Sequence, residues 1–119
     1  MNQYEVADEI ATALPEVKAE VSKIIYLKNP FALIRVVTRH TQKMVEQHNE
    51  LRIDQCLKLI DRIYAKGDLL VRNAIENIFI FSLDHIVASC NSRDKDRLLA
   101  KIPLKLHTAY VNQVYRSGI

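Results

Sequence analysis

From Leu51 to Ala88, apolar residues recur at three- and four-residue intervals in two long stretches, punctuated only by Lys66-Gly67-Asp68. That spacing is one face of an α-helix, met twice, and it predicts a helical hairpin. Gly67 is placed to take the left-handed conformation just past the first helix, and Asp68 to cap the second. The second stretch, Leu69 to Val87, is apolar around most of its circumference. It predicts a helix wrapped by neighbours rather than laid on a surface. Its most polar line runs through Arg72, Asn73, Glu76, Asn77 and Asp84, with Ile80 as an apolar intruder.

The same signals divide the rest of the chain. A first helix is expected from Asn2 or Gln3 to Leu14, with Val6, Ile10, Ala13 and Leu14 on one face. Pro15 stops it and opens a second helix through about Leu27. Asn29 caps and Pro30 opens a third, running toward Asn49 and burying Phe31, Ile34, Val37, Thr41, Met44 and Val45. The fourth, about Leu51 to Lys66, buries Ile53, Cys56, Leu57, Ile60, Ile63 and Tyr64. Asn91-Ser92 ends the fifth and caps a last region that contains Pro103. The residue before a proline avoids helical angles, so that region is expected to kink or to split near Arg93–Lys101 and Pro103–Arg116. The expected fold is all-α, one domain over residues 1–119, as a compact bundle of five to seven antiparallel helices around the central apolar helix.

Composition narrows the chemistry. Two glycines in 119 residues leave no material for a phosphate-cradling loop, which argues against nucleotide binding of that type. Arg72, Glu76 and Asp84 interrupt the most hydrophobic segment, so no membrane span is expected. The acidic N-terminus lacks a secretory signature, which predicts a cytoplasmic protein. Cys56 and Cys90 each fall in a helical pattern and read as structural thiols. The histidines His40, His48, His85 and His107 make no HExxH and no Cys/His ligand spacing, and no Glu-x-x-His occurs. Met44, between His40 and His48 on one expected helix face, reads as core filler. Ser82 and Ser89 have no base in view. The chain is therefore expected to have no catalytic residues, no metal site and no cofactor.

Charge adds candidate surfaces. Through Leu27 there are five acidic and two basic residues, and the remainder carries nine acidic and fifteen basic. Such opposed segments can attract one another within one chain or between two, so a homodimer is among the expectations. Arg35, Arg39 and Lys43 recur every four residues as a basic stripe on the third helix. Arg97, Lys101 and Lys105 repeat the spacing if the last region stays helical. The stripes suggest phosphate contacts, but no aromatics interleave for base stacking, and nucleic acid is a minor alternative. The candidate partner surfaces are the acidic start of the chain, with Glu5, Asp8 and Glu9, or the last helix, with Tyr110 and Tyr115. The plainer reading of the latter is that Tyr110 docks that helix onto the core.

Two resemblances follow from these residues. Asp68, Val71, Arg72 and Ala74 match the Asp-x-x-Val-Arg-x-Ala pattern of HEAT-type repeats, although one such unit makes no solenoid. Leu14-Pro15-Glu16 after an acidic helix, and the run Gly67 to Ile75 before a Phe-rich helix, give a layout that resembles small helical bacterial domains of unknown function, immunity-like in size and style. That resemblance implies a bacterial cytoplasmic protein acting by binding another protein. The expected function is a non-enzymatic protein-interaction module, immunity- or adaptor-like. The alternatives are a nucleic-acid accessory protein using the basic stripe and a helical bundle with a small-ligand pocket rimmed by His40, His48 or Tyr64.

Overall fold

Five side-chain caps set the helix starts. Asn2, Asn29, Asn49, Asp68 and Asn91 each accept a backbone N–H from the first turn of the helix that follows. Each such cap stabilises its helix by about 1 kcal/mol. The computed structural model describes residues 1–24 and 29–117, the last four as backbone. The helices are α1 (Gln3–Ala13), α2 (Lys18–Ile24, entered through a 3₁₀ turn Pro15–Val17), α3 (Pro30–Glu46) and α4 (Glu50–Lys66). A long α5 spans 69–89, followed by α6 (Ser92–Lys101) and α7 (Leu104–Ser117). The expected all-α bundle is what forms, and its radius of gyration of 13.6 Å matches the ~13.5 Å of a compact chain this long. The expected end of the second helix near Leu27 lies outside the described residues.

Two turns depart from expectation. Gly67 is not left-handed: it is extended, at φ −67° and ψ 150°. A Cβ there would meet the Ile63 carbonyl oxygen and Val71 Cγ1, each at 2.7 Å, so the glycine serves close approach rather than a positive φ. Among the described residues it is His48 that is left-handed, at φ 55°. It ends α3 three residues before Asn49, as His48 N–H donates to the Val45 carbonyl and Asn49 N–H to that of Met44, the paired bonds of a Schellman motif. His48 therefore lies beyond the helix and does not share a helical face with His40.

Helix α5 explains Ile80. A regular α-helix advances about 100° per residue, which would carry Ile80 and Val87 some 160–180° away from Val71. Residues Ile75–Ile80 instead form a π stretch between the α segments Leu69–Ala74 and Phe81–Ser89. The wider turn lags by about one residue, or about 100°, and rotates the second half into line with the first. Val71, Ala74, Ile75, Phe79, Ile80, Leu83, Ile86 and Val87 are all buried as a result. Ile80 is 1% exposed and is core, not an intruder on a polar line.

The wrapping of α5 is incomplete. Leu69, Leu70 and Phe81 are 76%, 54% and 55% exposed. Helix α4 shares the centre, burying Leu59 in addition to the expected face and packing against α1, α3, α5 and α7. Of the two outcomes expected at Pro103, a kink or a split, the split forms, so Lys101 and Lys105 belong to different helices and the second basic stripe does not form.

Urea unfolding checks the phase of α5. Ile80→Ala should cost about 2–5 kcal/mol, as a core truncation does. Phe81→Ala, one residue on, should cost less than about 0.5 kcal/mol.

Candidate functional site

The acidic opening segment meets the basic middle of the same chain. Glu9 pairs with Arg62 at 3.7 Å, Glu16 with Arg52 at 3.1 Å and Glu20 with Arg39 at 2.6 Å. These contacts hold α1 and α2 onto α3 and α4, each contributing at most about 1 kcal/mol. They also occupy much of the surface that the charge asymmetry marks out. Glu5 closes a capping box by accepting from the Asn2 N–H, and Asp8 is exposed.

The tyrosines separate similarly. The Tyr110 hydroxyl donates to Asp84 Oδ1 at 3.3 Å and its ring packs on the core, so Tyr110 docks α7 onto α5. Burial, and then the Asp84 carboxylate, push its pKa up. The side chain of Tyr115 lies outside the described residues. Glu9 and Tyr110 thus each spend a polar group on a partner within the chain.

The basic stripe fares differently. Arg35, Arg39 and Lys43 are exposed on α3, and the first two line a groove between α2, α3 and α5. Ile24, Ala32 and Ile78 supply its apolar part, and Thr38, Gln42 and Ser82 its neutral polar part. Its volume is about 410 Å³. Ile78 comes from the π stretch, and such irregular turns recur at functional sites. Arg39 reaches Glu20 while Arg35 makes no ion pair among the described residues. The groove thus joins cationic rims to an apolar floor, a combination suited to an amphipathic anionic guest. Spacing along α3 exposed the arginines in the sequence, but nothing there placed Ile24 or Ile78 beside them.

The other candidates have local tasks. His48 Nδ1 stands 3.3 Å from Asp94 Oδ2, tying the end of α3 to α6. Tyr64 donates to Glu76 Oε1 at 2.6 Å, with the Arg72 guanidinium 5.0 Å from its ring centre. That stacking accounts for the arginine of the Asp68–Ala74 pattern, whose Val71 and Ala74 are buried. Burial raises both thiol pKa values, keeping Cys56 and Cys90 protonated near neutrality. Among the described residues no group of three or more His, Cys, Asp or Glu side chains is arranged to hold a metal ion, and no helix is long and apolar enough to cross a membrane.

A family model described as a domain of unknown function, DUF7674, matches residues 7–116. The chain belongs to that family. No match is found among curated proteins or among solved structures. The DUF7674 match covers every helix that builds the groove, including the start of α2, α3 and the π stretch of α5.

One cluster inside the DUF7674 span went unnoticed in the sequence. His40 is nearly buried, and its Nε2 has no hydrogen-bond partner, lying 3.7 Å from Glu16 Oε2. Loss of hydration lowers its pKa, Glu16 pulls it up, and Arg52 and Lys43 push it down. Only the folding of Pro15–Val17 against α3 and α4 assembles this group, so no sequence spacing announces it. With the folded pKa below the unfolded ~6.5, the unfolded chain binds the extra proton first. Stability should therefore be full above about pH 6.5 and fall as pH drops toward the folded pKa. Denaturant midpoints between pH 7.5 and 5 should show this decline in the wild type and a flatter profile in His40→Gln.

Proposed function

We propose that the protein is a protein-interaction module and that the groove between α2, α3 and α5 receives an acidic amphipathic segment of its partner. The observation that supports this reading is the union of Arg35 and Arg39 with Ile24, Ala32 and Ile78 in one groove. An amphipathic helix lays its apolar side along such a floor, and its carboxylates meet the guanidinium groups on the rim. Glu20 already shows the geometry of a carboxylate on Arg39, at 2.6 Å. A partner's acid would take over that contact. Exposed Phe81, stacked edge-on against His85 with ring centres 5.4 Å apart, adds apolar surface next to Ser82 of the groove. The immunity- or adaptor-type role that the layout of the chain suggests is compatible with such a surface.

Nucleic acid is the second reading, since the same arginines face outward. The two differ in their response to salt. Phosphate binding weakens steeply and linearly on a log–log scale, whereas groove binding keeps its apolar contribution. Affinity capture with the wild type and with an Arg35→Glu/Arg39→Gln double variant tests the proposal. A partner held by the wild type should bind the double variant at least about tenfold more weakly, and reversal of Glu5, Asp8 and Glu9 should leave it bound. Equal capture by the double variant would overturn the assignment, and capture of nucleic acid alone would favour the second reading.

A further inference from the structure

On the other side of α5 from Ile78, the π stretch carries Glu76, Asn77 and Ile80 into a second cleft, closed by the end of α4 and by α7. Its volume is about 240 Å³, large enough for a small molecule and too small for a folded segment. In contrast to the groove, the wall is mainly polar. Asn77, Asn112 and Gln113 supply three carboxamides, and Thr108 a hydroxyl. Glu76 and Lys105 line the same space, and no salt bridge between them is among those of the described residues. Glu76 Oε1 accepts the Tyr64 hydroxyl, which orients the carboxylate and leaves its second oxygen for a guest.

Opposite charges that share one small cleft without pairing leave a pair unmade across it, the Arg72 guanidinium beside them being held on the Tyr64 ring. A ligand that carries both an ammonium and a carboxylate completes it, with the ammonium on Glu76 and the carboxylate on Lys105. The carboxamides offer both donors and acceptors to whatever lies between or beside those ends. A simple anion would satisfy Lys105 and be repelled by Glu76, and a simple cation would do the reverse. We infer that this cleft binds a small zwitterion of the free α-amino acid class. The site is separate from the α2–α3–α5 groove and does not depend on the function proposed for it.

The test is a thermal-shift and calorimetric screen of the intact protein with each standard L-amino acid at about 10 mM, enough for roughly tenfold excess over a millimolar Kd. At least one should give a saturable rise in Tm. Its methyl ester, which removes the carboxylate charge, and its N-acetyl form, which removes the ammonium charge, should each bind at least tenfold more weakly to the wild type. Glu76→Gln and Lys105→Met should do the same, with the helical circular dichroism unchanged, while Arg35→Glu should bind like the wild type. No shift with any amino acid overturns the inference. So does equal binding of the ester and N-acetyl forms, which needs no variant to fold.

Discussion

The one-residue lag inside α5 turns Phe79, Ile80, Leu83, Ile86 and Val87 to the same side as Val71, Ala74 and Ile75. Each large side chain among them contributes about 1.5–3 kcal/mol by leaving water. A regular helix would turn Ile80 and Val87 to the side opposite Val71. The helices that pack on α5 depend on this alignment: α3 lies against the π stretch, and α7 against both that stretch and the segment after it. The loss of regular backbone geometry over six residues is offset by burying two apolar faces that would otherwise diverge.

The lag also shapes the two surfaces of interest. Ile78 packs half-buried against the core and joins the arginine-rimmed groove on the α3 side, while Glu76 and Asn77 line the polar cleft with α7. One irregular turn therefore supplies a wall to each. The surfaces differ in what is proposed to fill them, an acidic amphipathic segment in the first and a compact zwitterion in the second.

Charge serves the fold before it serves recognition. Glu9, Glu16 and Glu20 pair with Arg62, Arg52 and Arg39, so the opposed charges of the two chain segments meet within one molecule. The basic stripe that remains is Arg35 and Lys43 with Arg39 half engaged. Glu16 also stands beside His40, placing a titratable group between the entry to α2 and the helices it packs on.

The sequence by itself determined the helices, the caps at Asn29, Asp68 and Asn91 and a break at Pro103, because those features depend on neighbours within a few residues. Apolar spacing likewise marked most core positions and showed Arg35, Arg39 and Lys43 on one face. Tertiary structure decided the rest. Ile80 became core only because a π stretch resets the helical phase, and a reading at constant period cannot register that change. Gly67 is needed for its approach to Ile63 and Val71 rather than for its φ, and His48 took the left-handed position instead. The partners of Tyr110, Glu9 and Glu20 could not be read from spacing because Asp84, Arg62 and Arg39 lie many residues away along the chain. The groove and the cleft were hidden for the same reason: each is made by helices distant in sequence, and packing alone brings their side chains together.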